Sequence, residues 1–131
     1  MPRNRRGWAF RENEISGVIT HTPLTVALLE PALLILINEQ ARHGYFLMSE
    51  LEMLGMGTIN PSVIYRTLRE LEVLGWILSD WQTEQTQGPP RRVYYLTDRG
   101  KNILNAWKNE LEKARISIDQ LIGRIDVERS Q

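Results

Sequence analysis

The chain has 131 residues, 42% of them apolar, and no cysteine. That length suits one domain with an extra arm or helix, and the lack of thiols excludes disulfides, thiolate zinc sites and cysteine nucleophiles. Sixteen basic and 16 acidic side chains cancel, so any cationic surface must come from the placement of charge rather than its sum.

Placement is uneven. Arg3, Arg5, Arg6 and Arg11 concentrate positive charge at the N-terminus, Arg66 and Arg69 form a second group, and Arg91 and Arg92 a third. Glu110, Glu112, Asp119, Asp126 and Glu128 gather near the C-terminus. No apolar run approaches the roughly 18 residues of a membrane span, and no signal-peptide stretch follows the basic N-terminus. A cytoplasmic protein without a membrane partner is expected.

Residues 1–27 lack sustained periodicity and are expected to form a basic arm. A first helix is expected near Glu30-Pro31, because proline suits the first helical turn; Leu33, Leu36, Ile37 and Ala41 then recur at helical spacing. "HGY" at 43–45 breaks the pattern. A second short helix follows, with Leu47, Met48, Leu51 and Leu54 on one face. "GMGTIN" at 55–60 reads as a turn with two glycines able to take positive φ.

Asn60-Pro61 predicts a helix start, an N-cap residue followed by proline. The helix carries an inner stripe of Ile64, Leu68, Leu71 and Leu74, and Gly75 is its stop signal. Ser62, Val63, Arg66, Thr67 and Arg69 occupy its outer face, with Tyr65 at the edge. From Trp76 the period changes. "WILSDWQTE" and "RRVYYLT" are aromatic and β-branched, as strands are, and "QTQGPP" between them is a turn. Thr97 is a cap for the last helix.

In that last helix Leu104, Trp107, Leu111, Ala114, Ile118, Leu121 and Ile125 recur in steps of three and four. This heptad seam runs through about 28 residues, or about 42 Å, too long for the body of so small a domain. The overhanging stripe calls for a partner, and the same helix of a second copy is the favoured one. The plainer reading folds it back on its own domain. Trp107 is read first as dimer packing, and secondly as a wall for a small, flat apolar effector.

The expected fold is mainly α with a small β-hairpin: a winged helix-turn-helix over residues 28–97 and a long C-terminal dimerisation helix over 98–131. "HGY" at 43–45, "SVIYRTLRELEVLGWI" at 62–77 and "GPPRRVYYLTDRG" at 88–100, with "LLEPALLILI" before them, resemble the PadR family, the phenolic-acid-decarboxylase-regulator type of bacterial transcription factor. The resemblance spans residues 28–108. It implies a DNA-binding repressor that dimerises through its C-terminal helix. The single C-terminal helix is similar to the family's short type; longer members have more C-terminal structure for effectors.

Physical chemistry points the same way. A helix in the major groove presents its first turns to base edges, here Ser62, Val63, Arg66 and Thr67. Arg66 could read guanine, a contact that discriminates by about 1–3 kcal/mol. Ser62 and the free N–H groups of the first turn could hold a phosphate, and Tyr65 could offer its hydroxyl to one. Arg69, Arg91 and Arg92 would meet the backbone or a minor groove. Each has a plainer reading: Arg66 and Arg69 paired with Glu70 and Glu72 or simply solvating the helix, Tyr65 as a core-edge ring, and Arg3, Arg5 and Arg6 as a solubilising tail rather than a DNA-tracking arm.

No enzyme is expected. His21 and His43 lack neighbouring ligands, and His43 is read as structural at a helix start. "GMGTIN" lacks the third glycine of a dinucleotide loop. No cofactor is expected. The partners are double-stranded DNA on a roughly palindromic operator and a second copy of the chain. The rival class is a winged-helix docking module without nucleic acid, which suits the neutral sum.

Overall fold

The computed structural model describes residues 23–82 and 91–129, leaving aside the Arg42 side chain. The expected arm with Arg3, Arg5, Arg6 and Arg11, His21, and the wing tip with Pro89 and Pro90 lie outside the described residues.

A short helix α1 (Pro23–Ala27) leads into α2 (Leu29–Glu39). The arm expected to run to residue 27 therefore ends in a helical turn, though none of its side chains is buried. Helix α2 starts one residue before the predicted Glu30-Pro31. It ends at Glu39, where Gln40 turns extended with φ −170° and ψ 137°. Ala41, predicted on its inner stripe, is thus outside the helix and exposed. Leu29, Leu33, Leu34, Leu36 and Ile37 are all buried, a wider face than the predicted stripe. The reason is position: α2 is central and packs against the helices and the sheet on several sides. Full burial of each such side chain stabilises by about 1.5–3 kcal/mol.

The two-residue strand β1 (Arg42–His43) follows and runs into α3 (Gly44–Leu51). Leu47 and Leu51 are buried as predicted and Met48 packs against the core. Leu54 is not on that face. The chain widens into a π turn over Glu52–Met56, which rotates Leu54 outward to 53% exposure. Of the two turn glycines Gly55 takes φ +84°, and Gly57 stays at −68°.

Helix α4 (Pro61–Val73) is framed by the predicted caps. Asn60 Oδ1 accepts the Ser62 N–H at 2.9 Å, and Pro61 occupies the first helical position. At the other end Gly75 takes φ +79°. Its N–H donates to the Glu72 carbonyl and that of Trp76 to the Leu71 carbonyl, both at 3.0 Å. This pair of bonds satisfies two orphan carbonyls and requires a left-handed residue, which glycine adopts without strain. Ile64, Leu68 and Leu71 are buried; Leu74, at the C-cap beyond the last turn, is exposed.

Strands β2 (Ile77–Gln82) and β3 (Arg91–Leu96) form the predicted hairpin, and β1 adds a third strand, giving the order β1-β3-β2. Ile77 pairs with Leu96, Ser79 with Tyr94, Trp81 with Arg92 and Gln82 with Arg91. His43 pairs with Val93. Side chains alternate along a strand, so Ser79, Trp81, Arg92 and Tyr94 share one face of the sheet, and Arg91 belongs to the other.

Thr97 caps α5 (Asp98–Arg129) as predicted, accepting the Gly100 N–H at 3.0 Å. Helix α5 packs on α2 through its first turns: Ile103, Leu104 and Trp107 touch the core. The Trp107 indole N–H donates to Glu30 Oε2 at 2.6 Å. From Glu112 onward every described residue is exposed. That overhang of 18 residues is about 27 Å long. The architecture is a winged helix-turn-helix with α3 and α4 as the motif, the β2–β3 hairpin as the wing, and a protruding C-terminal helix.

Candidate nucleic-acid interface

A cleft of about 830 Å³ opens between α4, the wing and the start of α3. Tyr65, Arg69 and Glu72 enter it from α4, Trp81, Arg91, Arg92 and Tyr94 from the wing, and His43, Gly44 and Tyr45 from the β1–α3 junction. Three arginines therefore line one cleft in a chain with no net charge.

Arg92 is held on three sides. Its Nε donates to Ser79 Oγ at 2.9 Å, and its guanidinium lies 3.9 Å from Glu72 Oε2 and 5.2 Å from the Trp81 ring centre. Ser79 Oγ in turn donates to Glu72 Oε2 at 2.6 Å. The network ties the wing to α4, because Glu72 and Arg92 occupy facing surfaces. Arg91, on the opposite sheet face, donates to His43 Nε2 at 3.2 Å. The two arginines, adjacent in sequence, therefore have different partners.

Burial holds the His43 imidazole below its ordinary pKa of 6.5, and the neighbouring Arg91 charge adds to that. Burial pushes the Tyr94 phenol up, against the opposing pull of Arg92. His43 does stand at the start of α3, but its side chain makes no capping hydrogen bond. Its ring lies 4.5 Å from that of Phe46, centre to centre.

On α4, Arg66 and Arg69 are exposed and form no ion pair among the described residues. Of the plainer readings, pairing with Glu70 and Glu72 is not seen among the described residues, Glu72 lying beside Arg92, while solvation of the helix by the two arginines fits their exposure. Tyr65 is 39% exposed with its ring laid over Gly44. Val63 packs against the core. Thr67 Oγ1 donates back to the Val63 carbonyl at 2.8 Å.

The first turn corrects one expectation. Its N–H groups are not free: that of Ser62 goes to the Asn60 side chain, and those of Val63 and Ile64 to the Asn60 carbonyl. The Ser62 hydroxyl also donates to Asn60 Oδ1, at 3.0 Å. A phosphate at this turn would have to displace the cap.

Among the predicted interface residues of α5, Leu104 and Trp107 pack on this chain's own core, and Leu111 is half-buried. Ala114, Ile118, Leu121 and Ile125 are exposed, Leu121 at 62%. Beside them a groove of about 400 Å³ between α2 and α5 is lined by Ile35, Leu104 and Leu111 among others.

Sequence reasoning missed His43, Glu72 and Tyr94 as cleft residues, and Ser79 as the residue that ties Glu72 to Arg92. Tyr94 and Arg92 are two apart in a strand, which was a usable signal. His43 had none, because its approach to Arg91 depends on a two-residue strand across 48 positions of sequence. Among the described residues no cluster of His, Asp or Glu could hold a metal ion, and no helix is long and apolar enough to cross a membrane.

Solved structures share this architecture. A PadR-like transcriptional regulator from Bacillus cereus superposes with TM-score 0.69 and 23% identity, covering 77% of this chain and 97% of that one. A PadR family transcription regulator from Clostridium difficile gives 0.65 and 21%, covering 72% and 98%. A Streptococcus mutans protein gives 0.67 and 25%, covering 78% and 92%. No curated protein matches the chain. The model of the transcriptional regulator PadR-like family matches residues 33–106, from the core of α2 through the wing to the first turns of α5. With more than half of its length in that match and its cleft built from the same segment, the chain belongs to the PadR-like family of transcriptional regulators, which are not enzymes.

Proposed function

We propose that this regulator is a cytoplasmic homodimer that represses transcription by occupying a roughly palindromic DNA operator. The observation that carries the reading is that Arg69, Arg91 and Arg92 line one cleft between α4 and the wing, with Arg66 on α4 in no ion pair among the described residues. Arg66 and Arg69 have no counter-charge among the described residues, so their exposure adds nothing to stability, and polyanion binding gives it a use.

In this reading α4 enters the major groove. Arg66 reads a base edge, with Val63 and Thr67 alongside it, Arg69 and the Tyr65 hydroxyl meet the backbone, and Arg91 and Arg92 reach it from the wing. Ser62 contributes through its cap rather than through a free donor. The unpartnered seam of Ala114, Ile118, Leu121 and Ile125 supports pairing with a second α5, with Leu111 and the α2–α5 groove continuing the contact. Two such units read half-sites about one helical turn apart. The bond from Trp107 to Glu30 supports a packing role for that ring over an effector wall.

The neutral charge balance favours one rival, a protein-docking module. Salt separates the two. With about six phosphates neutralised, DNA affinity falls more than about a thousandfold between 50 and 200 mM salt. Absence of binding to any genomic fragment at low salt overturns the DNA reading, and fragments selected from genomic DNA test the palindrome.

A further inference from the structure

We propose that His43 is a proton-carrying ligand for a DNA phosphate, so that each protomer takes up a proton when duplex fills the cleft. The inference rests on the DNA-binding reading above and goes beyond it by assigning a residue and a linkage.

The argument begins with the hydrogen bond between Arg91 and His43. Arginine can only donate, so Nε2 of His43 must be an unprotonated acceptor and the ring proton sits on Nδ1. Neutral imidazole is thus a condition of this arrangement. The Phe46 ring lies 4.5 Å from the imidazole, centre to centre, and tilted 42° to it. The charged and titratable groups sharing the cleft are Arg91, Arg92 and Tyr94 from β3, Tyr65, Arg69 and Glu72 from α4, and Tyr45 from α3. Glu72, the one carboxylate among them, is engaged by Ser79 and Arg92. The net field at His43 is therefore positive, and it opposes a further charge.

A phosphodiester entering the cleft inverts that condition. Arg91 is the cleft arginine bonded to His43, and its partner is a neutral ring rather than a carboxylate, so turning to the phosphate breaks no ion pair. The Arg91–His43 hydrogen bond breaks and an Arg91–phosphate bond forms. Nε2 is then left beside an anion. It takes a proton from the buffer and donates it to a second phosphate oxygen, a charge-assisted bond. Both causes of the depressed pKa act in the free protein, and the anion offsets them in the complex.

The sign follows. Bound protein holds more protons than free protein, so affinity rises as pH falls toward and below 6.5, by at most about tenfold per pH unit per protomer. The probe is a random-sequence DNA duplex, titrated calorimetrically into the full chain at constant low salt. Two buffers of different ionisation enthalpy report the protons taken up. Wild type is expected to take up protons near pH 6.5 and His43→Gln, which still offers Arg91 an acceptor, to take up none. Arg91→Gln is the second variant. It keeps the imidazole but removes its suppressor, so uptake shrinks, and it serves if His43→Gln does not fold. Equal uptake in wild type and His43→Gln overturns the proposal while leaving DNA binding intact. Duplex that binds neither protein at low salt removes the DNA reading itself.

Discussion

Tyr65 lays its ring across Gly44 so closely that a Cβ at residue 44 would stand 2.8 Å from both Cε1 and the hydroxyl oxygen. The contact joins the first helix of the motif to α4, and it needs a residue with no side chain at the start of α3. Tyr65 is thereby a packed ring with a free hydroxyl, which has no hydrogen-bond partner among the described residues. Gly44→Ala is expected to cost about 1–3 kcal/mol by overpacking and to lower DNA affinity by tilting α4. Tyr65→Phe keeps the ring and is expected to change stability by less than about 0.5 kcal/mol while weakening DNA binding. Urea denaturation beside a binding titration separates the two. Unchanged affinity in Tyr65→Phe would take the hydroxyl off the phosphate.

Arg91 and Arg92 are neighbours in sequence with different duties. Arg92 already has Ser79, Glu72 and Trp81 as partners, so a phosphate must compete for it. Arg91→Ala is expected to weaken binding to all duplexes alike and to flatten the salt dependence by about one phosphate's share. Arg92→Ala should cost less in that slope and more in stability, since it leaves the wing unbraced against α4. Arg66→Ala should relax sequence preference, by about 1–3 kcal/mol at one base pair. A competition assay with specific and random duplexes distinguishes these outcomes; a specificity change confined to Arg91→Ala would reverse the assignment.

The bond between Trp107 and Glu30 spans 77 positions of sequence and sets where α5 leaves the body. Trp107→Phe leaves a half-buried carboxylate without its donor. A loss of about 1.5 kcal/mol is expected, the usual scale for a hydrogen bond to a charged group. Adding Glu30→Gln should recover part of it. Chemical denaturation of the four proteins of the cycle checks this, and strictly additive losses would show that the two side chains do not cooperate.

Leu111→Glu with Ile118→Glu places two charges in the exposed half of the α5 seam. In the single chain Ile118 is exposed and Leu111 half-buried, so the domain should remain folded. In a dimer both charges would enter an apolar contact, which is prohibitive without partners. Sedimentation should give monomers with unchanged circular dichroism. A surviving dimer would move the interface to another face.

Much of the chain's local structure could be read from residue order, because its signals are local. Asn60-Pro61, Gly75 and Thr97 mark helix ends through bonds to residues within four positions, and the stripe of Ile64, Leu68 and Leu71 needs only the 3.6-residue period. The seam on α5 is likewise visible as spacing, and so is the placing of Arg91 and Arg92 on opposite faces of a strand. Two helix boundaries slipped where the signal was weak: α1 is five residues long with nothing buried, and the π turn at Glu52–Met56 rotates Leu54 away from its expected face. The cleft was a different matter. Its partners, His43 with Arg91 and Glu72 with Ser79 and Arg92, come from separate elements, and their protonation and pairing depend on distances of a few ångströms that no spacing rule encodes. Local propensity and periodicity determined the elements; only their packing decided which cations are held, which are free, and which histidine lies beside them.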